Sequence, residues 1–463
     1  MSLLYRSTRG LAPETDLRTV ALSGLAPDGG LYLPTQWPHF SASQLSAMRD
    51  QSYQDIAFQV LHPFMQEAIP SEILQDIIAQ TYAVFDSKKI TPLIELGPSQ
   101  HLLELFHGPT LAFKDIALQF LGHVFEYFLK DADTRMTIVG ATSGDTGSAA
   151  MAALAHRKNI DVFILYPARG PSDIQRKQMT CVEAPNVHAI AVEGSFDDCQ
   201  AIVKSLFADE TLRREWNLST VNSINLLRIL AQIVYYFVAA QKVDGKPSFV
   251  VPTGNFGDIY AGYAAMKCGL PMGKLVIASN SNDILTRFFS TGKMLPEPVK
   301  GTLSPSMDIQ ISSNFERLLF DLCAQDATQV RQLMAELKSG EGFSVSSAQL
   351  EQARHVFLAG RADDSETLKT IADIHTKYDY VLDPHTAVGV KVARDLAAQI
   401  PGPVVCLATA HPAKFPDTVE RAIGQRPIVP AQTAALISGA ERTTLLAADM
   451  QQITAFIKKR KTS

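Results

Sequence analysis

Apolar positions along the chain follow two alternating patterns. Short, nearly continuous apolar runs occupy residues 102–106, 136–141, 162–166, 188–192, 248–251, 275–278 and 404–408. Runs of this length, rich in Val, Ile and Leu, predict strands buried on both faces. Between most of them lie amphipathic stretches, among them 114–129, 146–156, 198–208 and 257–268, which predict helices. Strand and helix in alternation predict an α/β fold built on parallel, doubly wound sheets with both faces covered. Two more helices are expected at 52–61 and 71–84, behind the Gly/Pro turn PDGGLYLP of residues 27–34, so 1–88 reads as an N-terminal helical region. The rhythm breaks from about 292 to 378, where the pattern is helical and reads as an insertion or a lobe of its own.

Composition narrows the class. A chain of 463 residues has room for two or three domains and a large core. With 46% hydrophobic and 19% charged residues it lies outside the disordered range. A formal charge of -5 without a long basic run leaves no nucleic-acid footprint. The five cysteines are far apart and lack zinc or thioredoxin spacing, so buried free thiols in a reducing compartment and no metal site are expected. The first ten residues carry no apolar run of signal length, and the apolar stretch 225–240 is broken by Arg228 and Gln232. The expectation is a cytoplasmic monomer or homodimer that engages a small molecule, with no membrane and no nucleic acid.

Five segments carry candidate chemistry. FHGPTLAFKD (106–115) places Lys114 near a helix N-terminus in an apolar setting, and both effects disfavour its charge and favour a nucleophilic amine. Taken alone, a solvated first-turn lysine explains it as well. VGATSGDTGSAA (139–150) opens a helix whose N-terminus, with hydroxyls at Thr142, Ser143 and Thr146, suits a carboxylate; Ser143 or Asp145 would serve equally as a simple N-cap. NSINLLRILAQ (222–232) puts Arg228 on an apolar helix behind Asn222 and Ser223. A bound phosphate is one partner for such a cation, and a side chain snorkelling to the surface is the commoner outcome. VVPTGNFGDIYAG (250–262) ends a strand in a glycine-flanked turn ahead of a helix, a receptor for a phosphate dianion without the Walker or dinucleotide spacing. CLATAHPAKFPD (406–417) ends a strand at Thr409, where open α/β sheets place ligands, with His411 and Lys414 either facing the site or solvated. His385 reads as a satisfied structural histidine.

Order decides what the segments leave open singly. A lysine segment, a Ser-Gly-Asp-Thr-Gly turn, a glycine-rich phosphate turn and a strand ending in a hydroxyl residue resemble the fold-type II pyridoxal-phosphate (PLP) enzymes, the tryptophan synthase β-like fold. Within them the wording resembles the threonine synthase family: STRG (7–10), GLAPDGGLYLP (24–34), FHGPTLAFKD, SGDTGSAA, PTGNFGD (252–258) and ATAHPAKFP (408–416). The resemblance implies that Lys114 carries PLP and moves protons. It implies that Gly254, Asn255, Phe256 and Gly257 cradle the cofactor phosphate through backbone amides, with Thr253 as a hydroxyl donor. Thr409 would face the pyridine nitrogen, and Asp145 would stand near the cofactor's phenolic oxygen, where many fold-type II enzymes carry Asn. Ser143, Gly144 and Thr146 would hold the substrate carboxylate, and Asn222, Ser223 and Arg228 the substrate phosphate. The implied reaction converts O-phospho-L-homoserine and water to L-threonine and phosphate. The implied domains are 1–88, a large PLP-binding unit of 89–135 with 241–463, and a small mobile unit of 136–240. Competing readings are a threonine or serine dehydratase, a phospho-homoserine lyase that adds no water, or a catalytically silent binding protein. A nicotinamide oxidoreductase lacks its fingerprint here.

Overall fold

The computed structural model describes residues 3–130 and 135–461. Two parallel sheets organise it. The first runs Phe357–Arg361, Leu275–Ser279, Ser248–Pro252, Val404–Ala408, Gln100–Glu104, Leu93–Gly97, parallel throughout except for the last antiparallel pair. The second runs Thr443–Ala447, Val187–Glu193, Ile160–Pro167, Met136–Ala141, Leu218–Ser219, all parallel. Its central strand Ile160–Pro167 and the first sheet's Ser248–Pro252 are buried at every position. This is why continuous apolar runs found the inner strands so well.

Helices cover both faces. Pro384–Asp395 packs on four strands of the first sheet, with Ala387, Val388 and Val392 in a core shared with Leu102, Val250 and Cys406. Leu226–Ala240 is apolar around nearly its whole circumference, so it must be buried on all sides. It lies between Tyr53–Met65, Lys114–Leu129 and Gly257–Lys267. The N-terminal helix Tyr53–Met65 starts at Ser52, whose hydroxyl accepts from Asp55 N–H while the Asp55 carboxylate accepts from Ser52 N–H.

Three features differ from the sequence expectation. Residues 241–463 do not all belong with the first sheet: Thr443–Ala447 pairs with Val187–Glu193, and Ile453 and Ile457 share a core with Val139, Phe163 and Ile190 of the second sheet. Leu226–Ala240 packs against the N-terminal and first-sheet helices, so residues 136–240 are not one packing unit. The segment 292–378 is mostly helical, yet it supplies the edge strand Phe357–Arg361 to the first sheet. Among the described residues no helix is long and apolar enough to cross a membrane.

Candidate active site

Backbone stitching fixes the central lysine. The Phe113 N–H donates to the Thr409 carbonyl at 2.9 Å, Ala112 and Ala410 form a bridge, and the His411 N–H donates to the Leu111 carbonyl at 3.0 Å. The first turn of Lys114–Leu129 is thereby pinned to the C-terminal end of Val404–Ala408, the end where parallel sheets place ligands. Lys114 is buried, and its Nζ donates to Asp145 Oδ2 at 3.2 Å. Burial lowers its proton affinity below the usual lysine range; Asp145 opposes this, while the charges of Lys414 and Arg228 reinforce it.

Asp145 is the hub. Its Oδ2 accepts from Lys114 and from Ser306 Oγ at 3.1 Å, and its Oδ1 accepts from Gln175 Nε2 at 2.9 Å and pairs with Lys414 Nζ at 3.0 Å. Burial alone would push this carboxyl up, but Lys114, Lys414, His385 and the Gln175 hydrogen bond outweigh it and hold it well below the ordinary carboxylate range. Gly144 permits the arrangement, since a Cβ there would stand 2.7 Å from the Gln175 side chain and its φ is +152°. Neither Ser143 nor Asp145 caps the helix Asp145–Leu154. The N-cap is Gly144, and the Thr142 hydroxyl accepts from the N–H groups of Gly144 and Gly147 at 3.0 and 2.9 Å. Thr142 is thus turned inward, while Ser143 is exposed and Thr146 half-buried at the helix mouth.

The glycine-flanked turn takes the shape expected of an anion receptor. Phe256 has φ +61° immediately before the helix Gly257–Lys267, the left-handed step from which an N–H nest is built, and its ring is wedged against Phe315 and Phe357. A Cβ on Gly254 would meet the Ser306 carbonyl at 2.7 Å. Thr253 departs from its expected role. Its hydroxyl donates to the Val251 carbonyl at 2.6 Å, so its proton is spent on the backbone. The Asn255 side chain is also engaged locally, with Oδ1 accepting from Ser313 N–H at 2.6 Å and Nδ2 contacting Ser223 Oγ. That last contact joins the turn to the segment expected to hold the substrate phosphate.

In that segment Asn222 is exposed and Ser223 half-buried. Arg228 does not snorkel: it is buried, its Nη1 donates to the Val221 carbonyl at 3.0 Å, and its Nε has no partner among the described residues. Burial lowers the guanidinium to about 10, which leaves it charged at neutral pH. Thr409 is buried, its N–H donating to Thr386 Oγ1 at 3.2 Å. His385 is satisfied as expected, with Nδ1 2.9 Å from Asp383 and Nε2 accepting from Ser306 N–H.

Sequence reasoning missed Gln175 and Ser306 and left Lys414 undecided. Lys414 is fully buried. Ser306 comes from the segment 292–378, so that segment reaches into the site.

The arrangement is that of a known family. The model described as "Threonine synthase N terminus" matches residues 4–82, "Pyridoxal-phosphate dependent enzyme" matches 84–346, and "Threonine synthase, C-terminal" matches 386–457. A threonine synthase of Pseudomonas aeruginosa is 45% identical over 460 residues, 98% of each chain. The chain belongs to the threonine synthase family. The structure of PLP-bound threonine synthase from Brucella melitensis superposes with a TM-score of 0.97 at 47% identity, covering 100% of both chains. The yeast threonine synthase superposes with a TM-score of 0.94 at 41% identity over 99% of each. The chain is therefore a PLP-dependent enzyme of fold type II, a lyase of threonine biosynthesis. Its residues fit the cofactor: a buried lysine of lowered proton affinity and a turn with no room for a Cβ at Gly254.

Proposed function

We propose that this chain converts O-phospho-L-homoserine and water to L-threonine and inorganic phosphate, with Lys114 as the cofactor lysine. One observation carries the reading. Two separate anion receptors, the 254–257 turn and the Asn222, Ser223 and Arg228 segment, are joined through Asn255 and Ser223 beside the buried Lys114. A reaction that uses a phosphorylated cofactor and a phosphorylated substrate needs two such places. Bound PLP supplies an electron sink for carbanion character on the substrate. Lys114, with its lowered proton affinity, takes the proton from the substrate α-carbon and returns protons later. The exposed Ser143 and half-buried Thr146 receive the substrate carboxylate at the start of Asp145–Leu154, where helix N–H groups favour an anion. Arg228 holds the phosphate first as a handle and then as a leaving group, when its charge interaction strengthens. Thr409, neutral and buried, is the candidate partner of the pyridine nitrogen.

The test is incubation of the holoenzyme with O-phospho-L-homoserine while threonine and phosphate are followed together. Equal amounts of both are expected. Phosphate accompanied by 2-oxobutanoate instead would assign the chain to a lyase that adds no water at the β-carbon.

A further inference from the structure

The proposed mechanism leaves the buried ammonium of Lys414 without a task. Lys414 is fully buried in a site that already contains a lysine and an arginine, and burying a third cation is costly unless it is paired. Its Nζ donates to the Thr110 carbonyl at 2.7 Å and to Gln178 Oε1 at 3.0 Å, and forms an ion pair with Asp145 Oδ1 at 3.0 Å. Asp145 consequently carries two lysines, one on each oxygen, with Lys114 on Oδ2. A single carboxylate shared between two ammonium groups satisfies neither fully.

We propose that Lys414 is a positioning residue: acting through Asp145, it sets how strongly Lys114 Nζ holds its proton. Lys414 takes Oδ1 together with Gln175, which keeps the carboxylate ionised and directs Oδ2 at Lys114 and Ser306. It also drains part of the negative charge that would otherwise bind the Lys114 proton. The other charged or titratable groups felt here are Arg228 by Lys114, Asp258 through its interaction with Lys114, Asp115 through its interaction with Lys414, and His385 through its interaction with Asp145. Unlike Arg228 and His385, Lys414 is in direct contact with the carboxylate that pairs with Lys114.

The inference rests on the assignment of Lys114 as the cofactor lysine. The test is a pH titration of the visible absorption of the substrate-free holoenzyme. In Lys414→Met the surroundings of Lys114 lose a positive charge, so the midpoint is expected to rise by about one pH unit or more. In Asp145→Asn they lose a negative charge, so the midpoint is expected to fall. Lys414→Arg restores the cation and is expected to titrate close to wild type. Opposite shifts in the first two variants are not what general damage to the site would give. The same titration curve in wild type and Lys414→Met, or a downward shift in both variants, overturns the proposal. Should Lys414→Met fail to fold, Lys414→Gln carries the same test: it removes the charge and keeps a polar side chain, its midpoint should also rise, and an unchanged midpoint overturns the proposal. A wild-type protein that gains no visible absorption with PLP would instead remove the Lys114 assignment on which the proposal stands.

Discussion

Arg228 shows how far a single residue can be read before its surroundings are known. A cation on an apolar helix signals a conflict, but the sequence offers two resolutions, a ligand or an escape to solvent. Burial of the Arg228 side chain removes the escape, and the unpartnered Nε leaves a donor to spare. Charge-assisted hydrogen bonds of this kind contribute roughly 1.5–3 kcal/mol. Arg228→Ala should therefore raise the KM for O-phospho-L-homoserine by about one to two orders of magnitude. Spectroscopic titration with unphosphorylated L-threonine should give nearly the same affinity in variant and wild type. Equal losses for both ligands would make Arg228 a structural residue. The buried helix-start setting of Lys114 was legible because its motif follows an apolar run and opens an amphipathic stretch. Lys414 was not, because a loop lysine is usually solvated and nothing local announces a carboxylate delivered from residue 145. Thr253 was misjudged for a related reason: the sequence shows a hydroxyl but not that a carbonyl two residues back claims its proton.

At the scale of elements, legibility followed burial. Met136–Ala141 and Val404–Ala408 lie inside their sheets, and their apolar runs match their observed bounds. The missed strands Leu93–Gly97, Phe357–Arg361 and Thr443–Ala447 are all edges, with one buried position in each of the first two and none in the third. Backbone pairing rather than side-chain burial defines such strands, so their hydrophobic signal is weak. The last of them carries a consequence for stability, because the helix Met450–Arg460 that follows it buries Ile453 and Ile457 on the second sheet. Ile453→Ala should cost about 2–5 kcal/mol, read as a lower midpoint in urea unfolding of the holoenzyme. Cofactor content under native conditions should hold, since this face lies on the opposite core from Lys114. A loss of only a few tenths would mean that the C-terminal helix is not docked as described.

Across the whole molecule, the site is assembled from segments that sequence order keeps far apart. Lys114, Asp145, Gln175, Ser306 and Lys414 span 300 positions and meet around one carboxylate. The parallel α/β rhythm and the order of motifs made the fold and the cofactor plan readable, because both depend on patterns that recur along the chain. The supporting contacts were not readable, because they depend on which loops fold back together. The segment 292–378, without a signature of its own, supplies both a sheet edge and Ser306. The resulting site contains two buried lysines on the same carboxylate, and only one of them is assigned the cofactor. Borohydride reduction of the PLP-loaded protein, followed by peptide mapping, decides between them. The account predicts a single covalent label on Lys114; a label on Lys414, or on any other lysine, would contradict it.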